Sequence, residues 1–523
     1  MVKRIFKTLL IAVLALSLTS CGINPVTKKR EIQFVSESQE ISIGQQNYVP
    51  ARQSQGGDYI IDPELTAYVQ SVGNKLAAVS DRKLPYEFVV LNDSVPNAWA
   101  MPGGKIAFNR GLLYELNSEA ELAAVLGHEI THAAARHGAK GMERGVFLQG
   151  AMVAVGLSAR DSSYANLIVG GSQLGAQLIS TKYSRDNESE ADLYGMEYMK
   201  KAGYDPQAAV TLQETFVRLS ANKNSSFIDG LFASHPPSQV RVDANKVTLT
   251  RLGAGGELGK AIYQQKTAKL KSTEAAYKDY DEGVKALAKN DLAKATTLAQ
   301  KAIAIEPREA RFQELLGDIA LSKKSKSDTQ IALNYYDKAI KMQPDYFKPY
   351  IQSSIALVSL GRKAEAEPFL KKSNALLPTA PAHLYLGELA EERGDMATAL
   401  NNYEMAASSN SDIGQAATAR YMHLDLPRNP AKYLQAAPQV DARGQLYAVV
   451  QNPTAVAVGR VQVHVVQYDA KTGRVVGQSQ SIIIAGGIAP NQREQVALRG
   501  VVLSTQQELQ LYQVVVDAAE LAK

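Results

Sequence analysis

The five residues from His128 to His132 constrain this chain more than any other stretch, because they read His-Glu-Ile-Thr-His. Histidines four apart lie on one side of an α-helix, which completes a turn about every 3.6 residues. Their imidazoles can therefore meet one metal ion and leave room for another ligand and a water. Glu129 lies on the same side of the helix, where its carboxylate can accept a proton from that water. The pattern predicts a zinc-dependent hydrolytic site; the alternative is a buried helix that happens to carry two histidines.

The surrounding sequence favours the helix but leaves the third metal ligand open. Ser118 and Glu121 have the Ser-x-x-Glu spacing of a capping box, just ahead of an Ala/Leu-rich run. A metzincin needs a glycine at 135 and a histidine at 138, where this chain has Ala135 and Gly138. The aminopeptidase pattern needs a glutamate at 151, where Ala151 stands. Both of these zinc-protease patterns are excluded.

Nearby polar side chains do not supply the missing ligand. His137 is five residues past His132, roughly 140° around a continuous helix, which predicts a helix-end or surface histidine without a ligand role. On the same continuous helix, Glu143 would lie roughly 16 Å beyond the histidines. The ligand must come from further along the chain.

The acidic cluster at 186–192 is the next source of carboxylates. Glu188 and Asp192 are four apart and share a helix face, while Glu190 points largely away. One carboxylate can bind zinc and the other can orient a metal-bound histidine. The alternative is a solvated acidic helix start, which the helix dipole favours.

Together the two segments resemble the gluzincin zinc metallopeptidases of the CAAX prenyl protease/HtpX family, in its soluble periplasmic BepA-like branch with tetratricopeptide repeats. That family pairs HExxH with a downstream S-R-x-x-E-x-x-A-D helix, and the match covers about half the chain. The resemblance implies one Zn²⁺ per chain, held by His128, His132 and Glu188, with Glu129 as the catalytic base and Asp192 behind the ligands. The downstream motif is matched by Ser184, Arg185, Glu188, Ala191 and Asp192.

Two further segments carry the resemblance. Asn97–Gly104 is similar to the family's strand before the catalytic helix, a strand that pairs with extended substrate in zincins. His235-Pro-Pro-Ser through Arg241 is similar to the H-P-x-x-S-x-R segment of the BepA-like branch. The resemblance implies that His235 is a regulatory fourth ligand that restrains activity, with Arg241 supporting the site.

The first residues predict export and lipidation. Lys3, Arg4 and Lys7 precede an apolar run from Leu9 to Leu18, and Cys21, the chain's single cysteine, follows in a lipobox. About ten apolar residues are too few to span a bilayer, which argues against a membrane anchor helix. Acyl chains on Cys21 would hold the protein to the membrane, and Gly22 at the next position favours the outer membrane.

An internal repeat with the small-residue pattern of tetratricopeptide repeats runs from about 273 to 412. Four alanines are spaced 37, 34 and 33 residues apart, and small residues recur seven positions later and in the preceding helices. An unspecific α-bundle is the alternative. The alanines are Ala295, Ala332, Ala366 and Ala399, followed by Ala302, Ala339, Ser373 and Ala406, with Gly283, Gly317, Ser354 and Gly387 in the first helices.

The last ninety or so residues are rich in β-formers with turn signals between them, which predicts a small β-sandwich. The predicted strands are 446–450, 461–468, 475–484, 495–503 and 509–516.

The predicted fold class is multidomain. A mainly α zincin-type (α+β) metallopeptidase domain at 21–265 follows a signal peptide at 1–20, and tetratricopeptide repeats at 270–415 precede an all-β sandwich-like domain at 435–523.

The predicted function is zinc-dependent hydrolysis of misfolded or misassembled envelope proteins on the periplasmic face of the outer membrane. Predicted partners are protein or peptide substrates, envelope protein-assembly machinery bound by the repeats, and the membrane. A net charge of +5 with 21% charged residues gives no case for nucleic acid. The alternative is a non-catalytic repeat scaffold or chaperone-like assembly factor whose zinc site is latent or structural.

Overall fold

The computed structural model describes residues 21–149, 169, 172–180, 182–221, 230–479 and 481–522. The chain forms two compact units, Met1–Ala382 and His383–Lys523. Helices, a helical repeat array and C-terminal sheets confirm the predicted multidomain fold class. The predicted domain boundaries remain predictions, and the predicted signal peptide lies outside the described residues. Within the described ranges, no helix combines the length and apolar character needed to cross a membrane.

A three-stranded sheet forms the centre of the first unit. Its strands are β3 (Glu87–Leu91), β4 (Ala98–Met101) and β5 (Lys105–Asn109), in the order β3-β5-β4. β3 and β5 are parallel, whereas β4 is antiparallel to β5 and lies at the sheet edge. Alternate side chains point to opposite faces, and both faces are buried in apolar clusters. The predicted strand before the catalytic helix is thus an edge strand.

Helices cover both faces of this sheet, and a short hairpin of β1 (Cys21–Ile23) and β2 (Arg30–Ile32) precedes them. Asn24 in the hairpin turn donates to the backbone oxygen of Ala135 at 3.0 Å, so the hairpin is fixed to the end of the histidine-bearing helix. The helices are α1 (Glu37–Ser54), α2 (Pro63–Ala77), α3 (Arg110–Leu113), α4 (Glu119–Ala134), α5 (His137–Gln149), α6 (Ser172–Ser180), α7 (Arg185–Lys201), α8 (Gln207–Ala221), α9 (Leu231–Ser234), α10 (Gln239–Leu252) and α11 (Lys260–Ser272).

Helix α4 carries the HExxH residues and begins as predicted, at the Ser118 cap. The Ser118 hydroxyl accepts from the Glu121 N–H at 3.1 Å. The reciprocal bond of the capping box is displaced by one residue, because the Glu121 carboxylate accepts from the Asn117 N–H at 2.7 Å. These bonds satisfy N–H groups that a helix start leaves without partners.

Two glycines let α4 and α7 touch backbone to backbone. A Cβ on Gly127 would lie 3.0 Å from the Gly195 oxygen, and a Cβ on Gly195 would lie 3.0 Å from the His128 nitrogen. Separations this short leave no room for a side chain. The crossing places the acidic face of α7 against the histidines of α4.

Helix α4 ends abruptly at Ala134 because Arg136 adopts the left-handed conformation, with φ of 62°. Its guanidinium donates to the fully buried Glu40 at 2.6 Å, and Arg82 pairs with the same carboxylate. A non-glycine residue holds such a conformation only where its surroundings compensate. The chain therefore turns before His137 instead of continuing the helix.

The repeat array of the first unit consists of antiparallel helix pairs whose predicted small residues are buried. A Cβ on Gly317 would lie 2.5 Å from the Tyr336 ring, which explains the glycine. Buried polar contacts fix the array to the sheet domain, including a 3.0 Å hydrogen bond from Asn92 to Glu309. The helices are α12 (Glu274–Ala288), α13 (Leu292–Ile305), α14 (Ala310–Ser322), α15 (Lys326–Met342), α16 (Lys348–Ser359) and α17 (Lys363–Leu376); α18 (Ala380–Glu392) spans the boundary between the units.

The second unit contains two more helices and two antiparallel sheets around one apolar core. The first sheet has the order β11-β7-β6, and the second has β10-β8-β12 with β9 also on β8. The elements are α19 (Met396–Ala407), α20 (Asp412–Asp425), β6 (Gln435–Val440), β7 (Gln445–Gln451), β8 (Val458–Tyr468), β9 (Val475–Gln478), β10 (Ile482–Ile484), β11 (Arg493–Val502) and β12 (Tyr512–Leu521).

Three strand predictions differ from the structure. The segment predicted as one strand at 475–484 contains two strands, β9 (Val475–Gln478) and β10 (Ile482–Ile484). The segment predicted at 509–516 begins in a 3₁₀ turn, Gln506–Leu511, and the strand runs instead from Tyr512 to Leu521. Strand β6 was not predicted, since it contains Pro438, a residue that argues against a central strand. β6 lies at the edge of its sheet, where proline is tolerated.

Candidate metal centre

Four side chains from three parts of the chain meet beside the α4–α7 crossing. They are His128 and His132 of α4, Glu188 of α7, and His235, which follows α9. One donor atom from each lies within 4.8 Å of the other three. His132, Glu188 and His235 are buried, and the side chain of His128 is 12% exposed. The structure thus brings together the three predicted ligands and the additional histidine that the sequence singled out.

The separations between these donor atoms fit a tetrahedral metal. Ligands about 2.0–2.1 Å from a zinc ion lie about 3.3 Å from one another on a tetrahedron. Here His128 Nε2 is 3.0 Å from His132 Nε2 and 3.2 Å from His235 Nδ1. The Glu188 carboxylate is 3.0 to 3.5 Å from the three histidine nitrogens.

Asp192 and Arg241 contact His128 and Glu188 from outside the cluster of donor atoms. Asp192 Oδ1 lies 2.9 Å from His128 Nδ1, the nitrogen that faces away from the cluster. Arg241 donates to both oxygens of Asp192 at 2.7 Å and lies 2.9 Å from Glu188. A carboxylate on the outer nitrogen fixes the ring orientation and tautomer of a metal-binding histidine. The sequence prediction placed both residues in this supporting position.

His132 has a corresponding partner that the sequence prediction missed. His137 is 1% exposed, and its Nδ1 lies 2.8 Å from His132 Nδ1, while its Nε2 lies 3.3 Å from Glu190. His137 stands at a helix end, as one of the two predicted alternatives had it, but it is buried and not at the surface. It is not among the clustered donors. The turn at Arg136 returns His137 to the side of His132, and a continuous helix would have carried it away. No pattern local to residues 132–137 reveals this turn.

The electrostatics of the cluster favour bound positive charge. Burial opposes protonation of His128, but Asp192 and Glu188 outweigh it and raise the pKa of His128 to about 10. Burial would raise the pKa of Glu188, yet the neighbouring histidines hold it well below its usual range. Burial lowers the pKa of His132 well below its ordinary value. Zinc binds neutral imidazole, so His128 would release its proton on binding the metal, whereas Glu188 already favours the anionic form.

Glu129 differs from the other carboxylates of the site. Both of its oxygens are buried without a hydrogen-bond partner among the described residues, and His235 Nε2 lies 3.7 Å from one of them. Burial raises the pKa of Glu129, partly offset by His235 and His128. A buried carboxylate without partners is costly in a merely structural role. Glu129 is available to a molecule that enters the site.

His235 is held in place by its flanking residues. The Leu231 N–H donates to the Pro96 oxygen at 2.8 Å, which ties α9 to the residues before edge strand β4. The Pro236 oxygen accepts from Arg241 at 3.2 Å. Cys21, the predicted lipidation site, begins β1 and has no role in the metal cluster.

An HExxH helix crossed by a helix that supplies a third donor defines a metallopeptidase domain. Residues 63–247 match the model of peptidase family M48, so this part of the chain is an M48 peptidase domain. The predicted family and enzyme class are thereby confirmed.

Several curated proteins are similar to parts of the chain. A beta-barrel assembly-enhancing protease of Escherichia coli K12 is 26% identical over 371 residues, 64% of this chain and 74% of that protein. One from Yersinia pestis is 31% identical over 180 residues, 33% of this chain and 37% of that protein. The mitochondrial metalloendopeptidase OMA1 of Schizosaccharomyces pombe is 35% identical over 226 residues, 42% of this chain and 63% of that protein. The chain thus spans between about a third and three quarters of these relatives.

Proposed function

We propose that this protein is a zinc-dependent endopeptidase with one Zn²⁺ held by His128, His132 and Glu188. The observation that carries the proposal is the set of donor atoms at tetrahedral separations beside Glu129, a buried carboxylate without a partner. A zinc ion held there supplies Lewis acidity to a peptide carbonyl and to water. The donors themselves are two imidazoles and a carboxylate, the ligand set of many catalytic zinc sites.

Glu129 acts as the general base and acid. It takes a proton from the attacking water and delivers it to the leaving amine when the peptide bond breaks. Burial favours this role, because it raises the pKa of Glu129 towards the range where both transfers are efficient. Asp192 and Arg241 hold His128 in position, and His137 does the same for His132.

His235 restrains this activity in the proposed account. Its Nδ1 lies 3.2 Å from His128 Nε2 and 3.0 Å from Glu188, the separation expected of a fourth ligand. A fourth protein ligand occupies the position that a catalytic zinc site leaves open for water. The same contact favours a second candidate function, a non-catalytic repeat scaffold with a latent zinc site.

The proposed substrates are misfolded or misassembled proteins of the outer membrane. Two relatives bear the name beta-barrel assembly-enhancing protease, and one of them aligns with 64% of this chain. The basic and apolar sequence before Cys21 supports export and a lipid anchor on the periplasmic face of the outer membrane. Replacing Cys21 with serine should then release the protein from the membrane fraction, whereas an equally membrane-bound variant would contradict the anchor.

The repeat array is proposed to bind envelope protein-assembly machinery. Stacked helix pairs present an extended concave surface that suits protein partners. Contacts such as the one from Asn92 to Glu309 hold the array against the peptidase sheet. A partner bound to the array would therefore deliver substrate at a fixed position relative to the metal centre.

The experiment offers the zinc-loaded protein an outer-membrane β-barrel protein, either unfolded in urea and diluted or folded in detergent. The unfolded form should be cleaved and the folded form spared, while Glu129→Gln keeps its zinc and cleaves neither. Because His235 restrains the site, His235→Ala is tested in parallel. If zinc-loaded wild type and His235→Ala both leave the unfolded substrate intact, the scaffold function is the better account.

A further inference from the structure

A recess opens beside the metal centre and shares residues with it. Its volume is about 540 Å³ when the solvent-open mouth is included. His128, Glu129 and His235 line it, together with residues of α7, α8 and α10. Whatever fills this recess therefore lies next to the groups proposed to break the peptide bond.

The remaining lining of the recess is largely apolar. Met196, Leu212, Phe216 and Leu231 contribute buried side chains, and Ala209 leaves space between them. Apolar surface of this kind gains free energy when it is covered by another apolar group. The recess thus favours an aliphatic or aromatic occupant.

The polar members of this remaining lining are Asp192, Arg241, Asn245 and Gln213. Asp192 and Arg241 pair with each other, which distinguishes them from Gln213. The Gln213 side chain is 6% exposed, and its amide nitrogen has no hydrogen-bond partner among the described residues. A buried amide without a partner costs free energy that a ligand can recover by hydrogen bonding to it. An occupant with an apolar body and a hydroxyl at its tip meets both requirements, and tyrosine is the amino acid of that description.

Charged occupants are disfavoured. An acidic side chain would meet the unpartnered Glu129, and Arg241 is already paired with Asp192 and Glu188. A lysine ammonium would have to leave water, and the carboxylate that it would meet, Glu129, is the group that the reaction needs as its base.

Geometry restricts which substrate residue can enter. The scissile carbonyl must come within about 3–3.5 Å of the attacking water beside Glu129. Successive residues of an extended chain are about 3.8 Å apart and point to opposite sides. A recess that includes Glu129 and His128 in its wall is therefore reached by the side chain directly flanking the cleaved bond.

We infer that this recess is the specificity pocket for one residue flanking the cleaved bond, and that it selects large apolar side chains, tyrosine foremost. This inference rests on the proposed peptidase function and names its substrate preference. Transmembrane β-barrel strands carry girdles of aromatic residues, so unfolded barrel proteins would offer many such sites.

The test uses fluorogenic peptides that differ only in the two residues flanking one bond, with Tyr, Phe, Leu, Gly, Glu or Lys at each position. At one of the two positions, kcat/KM for Tyr, Phe and Leu should exceed that for Glu and Lys by about tenfold or more. Gln213→Leu should lower the Tyr-to-Phe ratio by about fivefold with little effect on Phe. Gln300→Leu, the same change at an exposed position of α13, should leave the ratio unchanged.

A second variant and a binding measurement separate specificity from folding. Ala209→Phe narrows the recess and should shift the preference towards small residues while bound zinc stays constant. The same peptides should bind to Glu129→Gln without being cleaved, and the Tyr peptide should have the lowest Kd. Cleavage with no preference at either position, or an unchanged Tyr-to-Phe ratio in Gln213→Leu, would overturn the inference and leave the peptidase function intact. If zinc-loaded wild type and His235→Ala cleave none of the peptides, the proposed function fails and the inference fails with it.

Discussion

Arg241 binds Asp192 through two hydrogen bonds of 2.7 Å, one to each carboxylate oxygen. This two-pronged pair connects α10 to α7, and Asp192 in turn holds the outer nitrogen of His128 at 2.9 Å. Planar pairs of this kind set geometry as well as charge, because the guanidinium and carboxylate match in shape. The position of the first histidine of HExxH therefore depends on a residue more than a hundred positions away.

Arg241→Met should lower zinc affinity by about 10–100-fold, the usual cost of losing a residue that orients a metal ligand. The side chain keeps most of its apolar volume, so the change acts chiefly through Asp192 and His128. Competition with a chromophoric chelator measures the affinity. Arg251→Met, at an exposed ion pair on the same helix, is the matched control and should bind zinc as wild type does. Equal affinities for the two variants would contradict the role of Arg241.

Glu188→Gln and Glu190→Gln should distinguish the carboxylate that binds zinc, Glu188, from the carboxylate that contacts His137, Glu190. Glu188 lies among the donors, so its amide variant should lose stoichiometric zinc. Glu190 lies outside the donor set and contacts the far nitrogen of His137 at 3.3 Å and Lys29 at 3.5 Å. Its variant should therefore retain zinc with an affinity reduced by at most about tenfold. Metal content after gel filtration against a weak chelator measures both. Loss of zinc with Glu190→Gln alone would reverse the assignment.

His235→Ala should raise peptidase activity if His235 occupies the position needed by water. The expected result is a higher kcat with zinc still bound, because three protein ligands remain. Cleavage of an unfolded protein by zinc-saturated enzyme measures the change. Ser238→Ala, which removes the cap of α10 in the same loop, controls for general loosening of the segment. Unchanged or lower activity in His235→Ala would count against restraint.

Gly195→Val should disturb the metal centre without touching any ligand. A Cβ at this position would lie 3.0 Å from the backbone of Gly127 and His128, so α7 must move away from α4. Overpacking of this kind costs about 1–3 kcal/mol, and the donor atoms should separate with the helices. Thermal unfolding and zinc affinity should both fall. Ser189→Val, an exposed position on the same helix, should change neither, and an unaffected Gly195→Val protein would show that the close crossing is not required.

The sequence predicted those parts of the site that depend on helix periodicity. His128 with His132, and Glu188 with Asp192, are both four residues apart, and each pair shares a face in the structure. Resemblance to a family was needed to bring the two helices and His235 together. The buried small residues of the repeats, such as Ala295 and Ala332, were also predictable, because their spacing repeats.

Features that depend on distant contacts were not predictable. The left-handed Arg136 is held by Glu40, nearly a hundred residues earlier, and this turn alone brings His137 to His132. The Gly127–Gly195 contact likewise joins helices that are far apart in sequence. Nothing in the local pattern of either segment specifies such a partner.

The rate of peptide cleavage by Glu129→Gln shows whether Glu129 is the base of a zinc peptidase. It is measured on zinc-loaded protein in a His235→Ala background, so that restraint by His235 cannot hide the effect. The amide cannot accept the water proton, and general acid–base catalysis contributes about 10²–10⁴-fold. The account predicts at least about a hundredfold fall in kcat/KM with zinc content unchanged. Cleavage at the rate of the His235→Ala parent would contradict it.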